Sequence, residues 1–231
     1  MTDVAHPPLR TYGRVRSRVI KPTLSARLES LLPKLSLPPL EPGALRPESL
    51  KPGATAVVLE IGFGGGEHLA KQAAKRPDAL FLGAEPFLNG VASALRHIDE
   101  AGLNNVRLHC GDAREVVLGL TSASVDEVYI LFPDPWPKTR HHKRRLIQPE
   151  FVEALARIIK PAGFVRFATD WADYADAALA TFLAAPVFHW QAERADDWRL
   201  PPASHETTRY QDKGLGDISP VFFDFARRSP D

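Results

Sequence analysis

Along this chain, short apolar runs alternate with longer segments whose apolar positions recur at helical spacing. Residues 56–61 (AVVLEI) are apolar and rich in β-branched side chains, as a strand buried on both faces requires. A glycine turn follows at 62–66, and 67–75 has the pattern of a helix. The same reading predicts strands over 80–84, 106–110, 125–132 and 163–168, with helices over 89–101, 148–159 and 173–184. Residues 188–190 and 221–226 alternate enough to be strands. Strands interleaved with helices predict an α/β fold of Rossmann-like type. Its sheet is doubly wound and mostly parallel, with seven strands and helices on both faces.

The N-terminal quarter breaks this rhythm. Residues 1–30 form a basic arm with a short helix predicted over 24–32. Arg10, Arg14, Arg16, Arg18, Lys21 and Arg27 occur there without an intervening acid. Pro33, Pro38, Pro39, Pro42, Pro47 and Pro52 then mark 33–53 as a linker or extended wrap, because proline at this density prevents regular helix. The expected division is an arm and linker over 1–53 and a catalytic domain over 54–231.

Composition narrows the class. The chain has 231 residues, 44% of them hydrophobic, enough to bury a core. No apolar run reaches the ~18 residues that a membrane span needs, and no signal-peptide stretch is evident. Cys110 is the only cysteine, which excludes an intrachain disulfide and a cysteine-based zinc site. These features predict a soluble, cytoplasmic protein, a monomer or homodimer, with no membrane and no metal. The net charge of +1 says little about partners, but its distribution says more. Residues 138–145 carry five Lys or Arg and two His in eight positions, with no acid. A basic block in a near-neutral chain suits a face that binds a polyanion.

Ligands of such sheets sit beyond the carboxyl ends of the strands. Glu60 and the glycines Gly62, Gly64 and Gly66 stand at the first of these ends, Glu85 at the second, Asp112 at the third and Asp134 at the fourth. The glycine spacing is not that of a dinucleotide fingerprint, and no Walker lysine follows. Glu60 would repel a pyrophosphate, so a cationic ligand suits the site better. S-adenosylmethionine carries a sulfonium and an ammonium and no phosphate. Glu85 is placed to accept from ribose hydroxyls and Asp112 from an adenine amino group, although Asp112 also suits the N-cap of a helix starting at Ala113. This order of carboxylates resembles the class I methyltransferases.

The fourth strand runs into FPDPWPKTRHHKRR, residues 132–145. Three prolines in five positions make a rigid exit from which Asp134 and Trp136 project. With LEIGFGGGE (59–67), GAEP (83–86), GDA (111–113) and TDW (169–171), this segment resembles the bacterial tRNA (guanine-N7)-methyltransferases, which modify a guanine in the variable loop. TTRYQDKG (207–214) is a weaker match. The resemblance implies that Glu60, Gly62, Gly64, Glu85, Asp112 and Asp134 hold S-adenosylmethionine and that Asp134 is the catalytic residue. It implies substrate contacts from Lys138, Asp170, Thr208, Arg209, Tyr210 and Gln211. It implies RNA contacts from Arg140, His141, His142, Lys143, Arg144 and Arg145. Gln211 departs from the family's usual Glu and removes a negative charge.

The chemistry is consistent with that site. Guanine N7 offers a lone pair and has no proton to lose, so orientation and electrostatics must carry the reaction. The alternatives are a class I methyltransferase acting on rRNA or a small molecule, a non-catalytic RNA-binding module, and an NAD-dependent oxidoreductase. The first leaves the basic block unexplained. The second has no use for carboxylates at successive strand ends. The glycine spacing disfavours the third.

Overall fold

Parallel pairing of β1 (Val57–Ile61) with both β2 (Leu80–Ala84) and β4 (Val125–Leu131) forms the centre of the sheet. A computed structural model describes residues 20, 22–206, 210–211 and 214–229. With β3 (Val106–His109), β5 (Ile159–Thr169), β6 (Phe188–Trp190) and β7 (Val221–Arg227), the strand order is β3-β2-β1-β4-β5-β7-β6. The first five strands are parallel. β7 runs antiparallel to β5, and β6 antiparallel to β7.

Alternate residues of β1 serve opposite faces. Leu59 and Ile61 join a core formed with α6 (Ala113–Gly119), α7 (Pro149–Ile158) and α8 (Ala172–Leu183). Val58 joins the other core, formed with α4 (Glu67–Lys75) and α5 (Leu88–Glu100). In the first core Phe182 stacks on Phe225 with ring centroids 4.2 Å apart. The predicted seven-stranded, doubly wound sheet is the observed one, with strand ends shifted by one or two residues in most cases. β5 differs more, starting at Ile159 rather than at 163. Its register against β4 shifts between Val125 and Glu127, and that irregularity accommodates Pro161.

The proline-rich segment takes the extended-wrap form, interrupted by short helices. Pro33 and Pro47 sit in the first turns of α2 (Leu32–Leu35) and α3 (Pro47–Leu50), where a missing N–H costs nothing. Leu37 N–H donates to Leu108 O at 2.9 Å, which covers the edge of β3. Leu45 is buried in the first core. Upstream, α1 (Pro22–Ser30) is tied to α5 by Arg27 and Asp99 at 2.9 Å. Residues 31–50 therefore pack as part of the same body as the sheet. The basic positions Arg10, Arg14, Arg16, Arg18 and Lys21 lie outside the described residues.

Candidate active site

The carboxyl ends of β1, β2, β4 and β5 open on one side of the sheet, and the chain places its acids there. At the end of β1 the backbone turns through Gly62 (φ +73°) and Gly64 (φ +55°), which favours glycine. A Cβ built on either would meet nothing within 4 Å, so the turn presents bare backbone to open space. Glu85, buried at the end of β2, fixes this turn. Its Oε2 accepts from Gly64 N–H and its Oε1 from Phe87 N–H, each at 2.8 Å. Burial raises the Glu85 pKa. The two N–H groups oppose that shift, and the charges of Asp134 and Glu60 reinforce it. Glu85 thus senses the acids at the ends of two strands, β1 beside it and β4 beyond.

Glu60 is buried, and its Oε2 lies 2.7 Å from His68 Nδ1 in the first turn of α4. Asp112 caps α6, with Oδ1 accepting from Arg114 N–H at 2.9 Å and Oδ2 paired with the Arg114 guanidinium at 3.0 Å. Asp134, on the loop that follows β4, is exposed but has its pKa raised by partial desolvation. The donor set fits S-adenosylmethionine. A cationic ligand offsets the negative charge that Glu60 and Asp134 set near Glu85, and the open glycine turn admits close approach.

Beyond β4 the loop is shaped by unusual backbone. Phe132 (φ +53°) and Trp136 (φ +43°) are bulky residues in the left-handed region, a conformation that costs about 1–3 kcal/mol each. Phe132 is held by its N–H on Ala168 O at 2.8 Å and by stacking against Tyr210, centroids 5.9 Å apart. Trp136 lies edge-on to His141 and beneath the Arg144 guanidinium, 5.0 Å from the ring centroid. At the end of β5, Asp170 is only 3% exposed, and its Oδ1 has no hydrogen-bond partner among the described residues. Burial raises the Asp170 pKa. Burial raises the Tyr210 hydroxyl pKa, the Trp171 side chain opposes that shift, and the charges of Asp170 and Asp134 reinforce it.

The basic block divides into exposed and buried members. Residues Thr139–Arg144 form a 3-10 helix, and Lys138, Arg140 and Lys143 on it or beside it are exposed. His141 and His142 are half-buried, with His142 Nε2 3.3 Å from Asp173. The His141 pKa is lowered by desolvation and then by Arg144, Arg140, Lys138 and Lys143. Arg145 differs from its neighbours: it is 3% exposed and points into the protein, where the sequence suggested an RNA contact. A basic residue beside exposed ones is indistinguishable in sequence, and only the packing of α8 separates it.

Thr208 and Arg209 lie outside the described residues. Gln211 is described, and its Oε1 is 2.8 Å from His205 Nε2. Sequence reasoning missed the segment that delivers Tyr210 and Gln211. Gln72 Nε2 donates to Ser204 O at 2.7 Å, and Arg166 donates to Ser204 Oγ at 3.1 Å. Glu206 pairs with Lys71 and Lys75 of α4. The His205 ring lies 6.2 Å from that of His68. Only the position of His68, next to the glycine turn, offered a signal. Among the described residues no group of three or more His, Cys, Asp or Glu is placed to hold a metal, and no helix is long and apolar enough to cross a membrane.

The chain is similar to several known proteins. A family described as putative methyltransferase matches residues 54–222. The tRNA (guanine-N(7)-)-methyltransferase of Caulobacter vibrioides is 56% identical over 222 residues, 96% of each chain. That of Hyphomonas neptunium is 46% identical over 220 residues, 95% of this chain and 100% of the other. Among solved structures, a 16S rRNA (adenine(1408)-N(1))-methyltransferase from Catenulisporales acidiphilia with cosubstrate SAM has a TM-score of 0.57 at 17% identity. It covers 83% of this chain and 97% of its own, and the likeness is one of fold.

Proposed function

Because the chain belongs to the tRNA (guanine-N7)-methyltransferase family, we propose that its crevice divides into a cofactor half and a base half. The protein transfers a methyl group from S-adenosylmethionine to N7 of a guanine in tRNA, and the variable loop is the position we assign to that guanine. We further assign it to the cytoplasm, working as a monomer or homodimer without a metal ion. In the cofactor half, Glu60, Gly62, Gly64, Glu85 and Asp112 hold S-adenosylmethionine, which supplies an electrophilic methyl carried on a sulfonium. Glu85 holds the glycine turn open. Glu60, set by His68, adds negative charge beneath it. Asp112 reaches the cofactor from the helix cap it forms.

In the base half, Asp134 and Asp170 receive the guanine. The lone pair of N7 attacks without losing a proton, so neither acid acts as a base at that atom. Positive charge moves onto the base during transfer, and the Asp134 carboxylate stabilises it there. The unpartnered Oδ1 of Asp170 accepts from the N1–H and N2–H₂ edge. Phe132 and Tyr210 form a wall that limits how the base tilts, and Thr208, Arg209 and Gln211 extend the substrate contacts. Lys138, Arg140 and Lys143 take phosphates, while His141, His142 and Arg144 shape the loop that carries them.

The observation that supports this reading best is the placing of Glu60, Glu85 and Asp134 at three neighbouring strand ends, beside a glycine turn that Glu85 holds open to a ligand. Incubation with labelled S-adenosylmethionine and unmodified tRNA, followed by chemical cleavage at N7-methylguanine, tests it. Cleavage at one variable-loop guanine is expected. Label on another base, or on rRNA but not on tRNA, overturns the assignment.

A further inference from the structure

We infer that Arg145 is a positioning residue for methyl transfer, a buried strut that sets where the loop carrying Asp134 stands. Its Nε donates to Pro135 O at 2.9 Å, the carbonyl one residue beyond Asp134. Its terminal nitrogens turn to α8, where one pairs with the Asp173 carboxylate and the other lies 3.5 Å from Asp173 O. The guanidinium carbon sits 4.9 Å from the Tyr174 ring centroid, and Tyr174 is fully buried. All three nitrogens are therefore engaged inside the protein.

The loop needs an outside donor. Pro133, Pro135 and Pro137 have no N–H, so these positions cannot contribute donors to hold the turn. Phe132 and Trp136, on either side of Asp134, are held at positive φ, a conformation that persists only when the surroundings enforce it. Arg145 supplies part of that enforcement with a planar fork that an ammonium cannot reproduce. Its other end is fixed in the first turn of α8, three residues after Asp170. One guanidinium thus links the loop of Asp134 to the helix that follows Asp170, and so relates the two acids assigned to the base. Turning Arg145 outward to a phosphate would break these bonds and leave Pro135 O without this donor.

The inference rests on the reading that Asp134 works at the methyl-transfer site, so Asp134→Asn is measured beside the strut variants. Arg145→Ala, Arg145→Lys and Asp173→Asn are compared with wild type in tRNA methylation at saturating S-adenosylmethionine. Binding of tRNA is followed over a salt series. Arg145→Ala is expected to lower kcat by about 10- to 100-fold, because a misplacement on the order of 1 Å costs that much. KM for tRNA stays within about 3-fold and the salt slope does not change, since no phosphate contact is lost. Arg145→Lys keeps the charge but not the fork and does not restore kcat. Asp173→Asn lowers kcat by a smaller factor. A wild-type kcat in Arg145→Ala, rescue to wild type by Lys, or a salt slope lower by about 0.7–0.9 overturns the strut. Should Arg145→Ala fail to fold, a wild-type kcat in Asp173→Asn overturns it. If Asp134→Asn turns over like wild type, the reading of Asp134 fails instead; if it is impaired while Arg145→Ala is not, only the strut fails.

Discussion

The backbone N–H of Gly64 donates to Oε2 of Glu85 at 2.8 Å, so the turn after β1 is held by the side chain that ends β2. The other oxygen of Glu85 is occupied by Phe87 N–H, also at 2.8 Å. Glu85→Gln keeps the shape but offers one acceptor to two donors and removes the charge. S-adenosylmethionine affinity is expected to fall at least about 10-fold, as for a lost charged hydrogen bond, and stability by about 1–3 kcal/mol. Calorimetric titration and urea unfolding measure the two effects. An unchanged affinity and midpoint together would mean that this bond does not shape the turn.

Glu85, Asp134 and Asp170 all have raised pKa values, Glu85 and Asp170 mainly through burial and the exposed Asp134 through partial desolvation. Between the ordinary carboxylate range and the raised values, the folded protein holds more protons than the unfolded chain. These groups therefore favour folding most at pH below that window, and their contribution is lost as pH rises through it. Affinity for a cationic cofactor runs the other way, weakening as pH falls and the charges of Glu85 and Asp134 disappear. Calorimetric titration of S-adenosylmethionine from pH 7 downward should show this loss, and Glu85→Gln should flatten part of it. An affinity that improves on acidification would contradict the carboxylate cluster as a cation site.

These features differ in how far the sequence disclosed them. The inner strands were legible because a strand buried on both faces reads as an apolar run: Val57–Ile61 and Leu80–Ala84 are fully buried along their length. The acids at strand ends were legible because a parallel sheet fixes where its ligand side lies. Antiparallel β7 was found as a strand, but periodicity carries no direction. Pro161 hid the start of β5, since proline argues against a strand unless a bulge accommodates it. Arg145 was misread because charge does not reveal which way a side chain points. His68 and His205 come together across more than 130 positions, and no local pattern predicts such a meeting.

Asp134→Asn removes the charge at the loop while keeping its size. With electrostatic stabilisation as its role, kcat should fall by about 100- to 1000-fold, the range for losing a preorganised group at a site of developing charge. Affinity for tRNA should stay within about 3-fold, because the exposed cations hold the RNA. Single-turnover kinetics with a parallel binding assay separates the two, and near-wild-type turnover would remove Asp134 from the reaction.

The exposed members of the basic block should report through salt. Arg140→Ala and Lys143→Ala each remove a contact assigned to a phosphate. Each is expected to reduce the slope of log affinity against log salt by about 0.7–0.9 and to raise KM with little change in kcat. Filter binding across a salt series, with KM and kcat from the methylation assay, tests this. A slope that is the same in both variants as in wild type would place the RNA elsewhere.

Gln211 Oε1 faces His205 Nε2 at 2.8 Å, and an amide oxygen can only accept. His205 therefore carries its proton on Nε2, and its Nδ1 is buried without a hydrogen-bond partner among the described residues. Burial lowers the His205 pKa, and the neighbouring His68 and Arg166 add to that, against the raising effects of Gln211 and Glu206. Neutral His205 thus suits a neutral Gln211. Gln211→Glu would set a carboxylate against Nε2 and favour the imidazolium, so the His205 pKa should rise. The protonated ring would still have to bury Nδ1–H without an acceptor, which opposes the rise. Proton NMR titration of the imidazole Cε1–H signals, with His205→Gln to assign the resonance, reads the change directly. A higher midpoint in Gln211→Glu is expected, together with a methylation rate that changes with pH in the same interval. An unmoved midpoint would show that residue 211 does not set the charge of His205.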